Sequence, residues 1–178
     1  MSKITRLTFT VTLEGITPKI WRTFEVPSNT PAENFAIILQ LVMGWTYSHL
    51  YRFDIGRKHY ESLEFMADLG CNSDPEPYDE MTVQDFIDHK KPIKFVYDYG
   101  DNWQHKVILE SVEDYEPREM KIPRILFGER CCPPEDVGGV MGYKQMLKAL
   151  KRPDSEDAKS YFEWLGGYYD PEFFDRSS

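Results

Sequence analysis

Near the start of the chain, Leu7, Phe9, Val11 and Leu13 alternate with Thr8, Thr10 and Thr12. A period of two puts every apolar side chain on one face of an extended strand, so the chain must build a sheet with one face buried. The Gly15-Ile16-Thr17-Pro18 stretch reads as a turn, and Ile20, Arg22, Phe24 and Val26 then alternate with Trp21, Thr23 and Glu25. Two such rows joined by a short turn predict an antiparallel hairpin. One member of the second apolar row, Arg22, is charged.

Thr30-Pro31-Ala32-Glu33 supplies an N-cap residue, a proline at the first helical position and a glutamate three residues after the cap. The helix it starts carries Phe35, Ile38, Leu39 and Val42 on one face and stops at Gly44. Leu50 to Ile55 predicts a third strand, with Gly56-Arg57-Lys58 turning towards His59-Tyr60. Ile93, Phe95, Tyr97 and Tyr99 make a fourth, and Trp103, His105, Val107 and Leu109 a fifth across the Gly100-Asp101 turn. Thr82 caps a short helix through His89, ended by the proline at position 92. Tyr143, Met146, Leu147 and Leu150 recur at helical spacing. Asp154 or Ser155 caps a last helix striped by Ala158, Tyr161, Phe162 and Leu165 and closed by Gly166-Gly167. The expected architecture is α+β. It is a single domain over residues 1–178, with an antiparallel or mixed sheet of about five strands covered by helices and a β-hairpin followed by a helix at the N-terminus.

Two segments read as connections. Glu61 to Glu80 holds seven acidic residues, no basic one, and prolines at 75 and 77, so it is expected to be an exposed loop and the first place a protease cuts. Glu113 to Glu129 is charged and irregular. The tail from Tyr168 to Asp175 has too many aromatic residues for a free end and is expected to pack back on the domain.

A chain of 178 residues buries about two-thirds of its unfolded surface, enough for one self-sufficient core. No apolar run approaches the roughly 20 residues that span a bilayer, and the first residues lack an apolar leader. These features lead to the expectation of a soluble, cytoplasmic protein. Cys71, Cys131 and Cys132 are sparse and odd in number; the adjacent pair lacks the spacer of a zinc knuckle or redox motif, so no structural disulfide is expected. The formal charge of -9 opposes a phosphate backbone, which makes nucleic acid an unfavoured partner. Lys144, Lys148, Lys151 and Arg152 form the one basic stripe, read as a solvated helical face rather than a phosphate-binding one.

Two dense polar-aromatic segments point to a place where chemistry or binding occurs: Tyr97-Asp98-Tyr99-Gly100-Asp101-Asn102-Trp103-Gln104-His105 and Cys131-Cys132-Pro133-Pro134-Glu135-Asp136-Val137-Gly138-Gly139. Asp98 and Asp101 flank a glycine turn, and His105 shares a strand face with Trp103. Carboxylates beside an imidazole bind divalent metal or pass a proton. The structural alternative has Asp98 and Asp101 accepting backbone N–H bonds within the turn and His105 packed with one ring nitrogen satisfied. In the second segment the prolines stiffen the backbone, while Gly138-Gly139 allow close backbone approach. A phosphate cradle is disfavoured, because no Lys-Ser/Thr follows the glycines. The acids nearby also disfavour a nucleophilic cysteine. Asp98, Asp101, His105, Glu135 and Asp136 are expected to converge in space, with Trp21, Trp45 or Trp103 lining the same cleft. His49, which follows Trp45 just after the first helix, joins the candidates, although the histidines show no metal-motif spacing.

Taken together, Pro18-Lys19-Ile20-Trp21-Arg22, Met43-Gly44-Trp45 with His49-Leu50, Tyr97 to His105, and Cys132 to Gly139 with Gly142-Tyr143 resemble the plasmid pRiA4b ORF-3-like family, whose members are also described as insertion-element passenger proteins. The resemblance runs over nearly the whole chain. It implies an α+β domain and brings no assigned activity and no cofactor. The favoured reading is a binding or adaptor module with a polar-aromatic ligand cleft, its partner an unidentified protein or small molecule. The alternative is a metal-assisted hydrolase, connected to nucleic acid through the mobile-element association.

Overall fold

A computed structural model describes residues 3–63, 66, 75–114 and 123–175. Eight strands form one sheet: β1 Thr5–Leu13, β2 Trp21–Pro27, β3 Tyr51–Ile55, β4 Lys58–Glu61, β5 Glu76–Pro77, β6 Ile93–Tyr97, β7 Trp103–Asp114 and β8 Arg124–Glu129. Their order across the sheet is β5-β4-β3-β6-β7-β1-β2-β8. Every pairing is antiparallel except β4 with β5. Four helices accompany them among the described residues: α1 Ala32–Met43, α2 Val83–Asp88, α3 Gly139–Leu150 and α4 Glu156–Leu165.

The α+β class and the opening hairpin-then-helix stand, but the expected five strands become eight. The three additions have physical reasons. At its described ends Glu113 to Glu129 is strand rather than irregular connection: β7 runs on to Asp114 because β1 pairs along it as far as Thr5, and Arg124–Glu129 pairs with β2, while residues 115–122 lie outside the described residues. β8 is an edge strand with little burial, so its sequence lacks the alternation that a buried face imposes. β4 and β5 are four and two residues long, too short to show a period. Residues 64, 65 and 67–74 of the acidic stretch from Glu61 to Glu80 lie outside the described residues.

The register sets which side chains enter the core. Leu13 faces His105, Val11 faces Val107, Phe95 faces His105 and Tyr97 faces Trp103, so one continuous row of β1, β6 and β7 points inward. α1 lies over it. The Phe35 ring packs on Phe9, Phe24 and Phe53, and Phe53 in turn meets Phe86 of α2 and Phe95. At the start of α1 the chain departs from the expected cap: the helix begins one residue later, after Pro31, and the Thr30 hydroxyl donates to Pro27 O instead. At its end Gly44 takes a left-handed φ of 103°, and its N–H reaches Gln40 O and Leu41 O. That turn swings the following segment, Trp45 to His49, across the end of the sheet.

α2 is held at its start by Asp85, whose carboxylate accepts from both the backbone N–H and the hydroxyl of Thr82. A six-residue helix has little propagation to sustain it. Asp85→Ala is therefore expected to lower folding stability by about 1 kcal/mol, read as a shifted urea midpoint at an unchanged slope. The tail packs back as anticipated: Pro171 O accepts from the Cys131 N–H, the Tyr169 hydroxyl donates to Cys132 O, and Phe174 lies under the Arg22 guanidinium.

Candidate functional site

The two polar-aromatic segments meet. The first reaches its position through β6 and the turn that follows it, where Asp98 has a left-handed φ of 56° and its Oδ1 accepts from the N–H groups of Gly100 and Asp101. This is the turn role anticipated for Asp98, and it occupies only one carboxylate oxygen. The other, Oδ2, lies 3.8 Å from His49 Nε2. The second segment is tied to the first by Gly138 N–H, which donates to Asp101 Oδ2. At Gly139, with φ of 65°, a Cβ would sit 2.5 Å from Asp101 O, so only glycine lets the two backbones come this close.

Around His49 stand three carboxylates. Its Nε2 is 3.8 Å from Asp98 Oδ2, 3.8 Å from Glu135 Oε2 and 3.4 Å from Asp136 Oδ1. Donor atoms of His49, Asp98 and Asp136 all lie within 4.8 Å of one another. The Asp98 side chain is 10% exposed and the Asp136 side chain 71%, so the group has a closed floor and an open side. Glu135 is divided between two tasks. Its Oε1 accepts from the N–H and hydroxyl of Thr46 and from the Tyr97 hydroxyl. Its Oε2 is buried and has no hydrogen-bond partner among the described residues. Burial raises the Tyr97 phenol pKa, so Tyr97 remains protonated and able to donate to Glu135.

Backbone strain gathers in the same place. Tyr47, Asp98 and Asp136 all have positive φ, at 62°, 56° and 57°, and such conformations persist only where surrounding contacts enforce them.

The aromatic candidates sit behind the cluster. Trp45 is buried, its indole N–H donates to Pro133 O, and its ring packs on Tyr97 at 4.8 Å and edge-on against His105 at 5.1 Å. Trp103 is fully buried, 6.0 Å from Trp45. His105 is not among the carboxylates: the period-two register that carries Trp103 inward carries His105 with it. Its Nδ1 bonds Phe95 O while its Nε2 has no partner among the described residues. Burial lowers its pKa to about 4, so it is neutral near pH 7. Trp21 stands apart, half-buried on β2 with its indole N–H donating to Glu129. The cluster thus consists of His49, Asp98, Glu135 and Asp136, braced by Asp101 and backed by Trp45. Tyr97 and Thr46, which hold Glu135, were not among the candidate ligand residues. Tyr97 had a signal, being the polar end of an otherwise apolar inward row, whereas Thr46 had none.

Comparison with known proteins places this geometry. The model of the family described as plasmid pRiA4b ORF-3-like protein matches residues 5–178. The chain belongs to that family. It is similar to the uncharacterised protein y4hQ of Sinorhizobium fredii, with 32% identity over 167 residues, covering 88% of this chain and 78% of that protein. It is also similar in structure to MM3350 of Methanosarcina mazei, a protein of unknown function. There the TM-score is 0.86 at 29% identity, covering 99% of this chain and 97% of the other. No helix among the described residues is long and apolar enough to cross a membrane.

Proposed function

We propose that this protein is a cation-binding module in which His49, Asp98, Asp136 and Glu135 take one divalent metal ion. The carrying observation is Glu135 Oε2, a buried carboxylate oxygen with no hydrogen-bond donor among the described residues, 3.8 Å from His49 Nε2. Leaving such an atom unpaired costs on the order of 1–3 kcal/mol, and a bound cation removes that cost. Charge supports the same reading: three carboxylates face a single imidazole, which leaves net negative charge gathered in a partly closed space.

The spacing suits a metal. A four-coordinate ion with bonds of about 2.1 Å has ligand-to-ligand edges of about 3.4 Å, and the separations of 3.4 and 3.8 Å from the imidazole lie close to that edge. One nitrogen with several carboxylate oxygens favours zinc or manganese over magnesium, which prefers all-oxygen surroundings. A hydrolase remains the second reading, favoured by the exposure of Asp136, which leaves solvent access to the ion and so a place for a metal-bound water. Cys131 and Cys132 are free thiols, which fits residence in a reducing cytoplasm.

Protein purified without a histidine tag and stripped with a chelator should bind one zinc or manganese ion per chain by calorimetry. His49→Ala and Asp98→Ala should each weaken binding by at least about tenfold, with the circular dichroism of the metal-free proteins unchanged. Failure of zinc, manganese and magnesium to bind, or equal binding by the variants, contradicts the proposal.

A further inference from the structure

We infer that the cleft between α3 and the C-terminal tail is a binding site for a small planar anion, a ring bearing a phosphate or a carboxylate. This cavity of about 500 Å³ has a size usual for small-molecule sites. It shares no residue with the His49 cluster and does not depend on the reading of that cluster.

Its walls are of two kinds. Leu147 and Leu150 of α3 and the aromatic pair Phe162 and Tyr168, stacked at 5.8 Å, give an apolar side. Tyr168 is 83% exposed, an aromatic face held open to solvent where a second ring can stack. The other side is cationic. Lys144, Lys148 and Lys151 line the same cavity, and their spacing puts them on one face of α3 and its C-terminal cap. None of the three lies within ion-pair distance of a carboxylate among the described residues, in a chain whose formal charge is -9.

The carboxylate on the wall, Glu172, is already bound to Arg130 through Nε and one terminal nitrogen, while the other terminal nitrogen donates to Pro18 O. Arg130 and Glu172 thus satisfy each other, and the lysines supply the free positive charge. An adjoining groove of about 670 Å³ shares Lys148 and Lys151 and adds Arg152, with Asp157 as its acidic member, so the positive field extends beyond the cavity. Apolar stacking surface beside unpaired cations selects a ligand that is flat and negative at one end. Inorganic phosphate would leave the apolar wall unused, and a neutral ring would leave the lysines unused.

Calorimetry on the intact protein at low salt tests this with adenosine 5′-monophosphate, 2-naphthoate, adenosine and inorganic phosphate. At least one of the two aromatic anions should bind, one per chain, at least about tenfold more tightly than adenosine or phosphate. Binding of the nucleotide alone identifies a nucleotide site, and binding of the naphthoate identifies a site for aromatic acids generally. The double variant Lys148→Gln, Lys151→Gln changes exposed side chains only, and it should weaken binding by about tenfold or more at an unchanged melting temperature. Three results overturn the inference: no binding of either aromatic anion below about 1 mM, equal binding by the double variant, or equal binding of inorganic phosphate. Salt-sensitive binding of a single-stranded oligonucleotide without binding of either aromatic anion also overturns it, in favour of a nucleic-acid surface.

Discussion

Arg22→Met should lower folding stability by about 4 kcal/mol. The Arg22 guanidinium is buried without a carboxylate partner among the described residues; carbonyls accept its N–H groups, and the Phe174 ring lies against it. Its Nε donates to Val42 O at 3.0 Å, one terminal nitrogen to Trp21 O and Glu129 O, both at 2.8 Å, and the other to Arg130 O at 2.7 Å. Burial lowers its pKa. The carbonyls offset the lost hydration, and Val42 O lies in the last turn of α1, where the helix dipole is negative. Methionine fills much of the volume but strands these carbonyls, each with a desolvation cost of its own. Lysine should not rescue, since one ammonium cannot reproduce a planar fork that bonds α1, β2 and β8 at once. Urea unfolding monitored by tryptophan fluorescence measures this, and a loss of less than about 1 kcal/mol would show that the carbonyls find other donors.

Arg22 also shows what the sequence discloses. A charged residue on the apolar row of β2 is visible from alternation alone, yet its partners come from three segments that no local pattern links. The same holds for β8. Its pairing depends on β2 lying next to it, and an edge strand carries no inward row to announce itself. The central strands were legible because burial on one face imposes a period of two, and α1 because it must cover that face.

Lowering the pH should destabilise the protein through His105. Its ordinary pKa of 6.5 falls to about 4 in the folded chain because the ring is fully buried. The unfolded chain therefore binds the extra proton first as pH falls. The penalty is absent above pH 6.5, grows as pH drops from 6.5 towards 4, and levels off below that, when both states are protonated. The full difference is worth about 3 kcal/mol. His105→Gln, which keeps a donor for Phe95 O but does not titrate, should lose about 3 kcal/mol less stability than the natural protein between pH 7 and pH 4. Parallel pH profiles for the two proteins would mean that the ring is hydrated or protonated in the folded state.

His105 was among the sequence candidates because imidazoles near carboxylates commonly act together. Its position in the Trp103, His105, Val107 row decided against that, since alternation sends all three side chains inward. Asp98, Asp101, Glu135 and Asp136 were legible as a group because two segments rich in groups costly to bury need each other or a ligand. His49 was harder to place: its approach depends on the left-handed turn at Gly44 and the positive φ of Tyr47, both properties of the folded backbone. Trp21, by contrast, matched the family pattern but lies by Glu129 at the other side of the sheet's β2 strand.

Crystals grown with manganese or zinc and measured at the metal's absorption edge test the central proposal most directly. An anomalous peak should appear between His49, Asp98 and Asp136, whose donor atoms are already gathered within 4.8 Å, with bonds of about 2.1 Å and with Glu135 Oε2, 3.8 Å from His49 Nε2, turning in as the fourth ligand. A map without a peak there, with His49 Nε2 instead drawn into a direct hydrogen bond with Glu135 or Asp136, would contradict it and leave the cluster as an ion-paired brace between two loops.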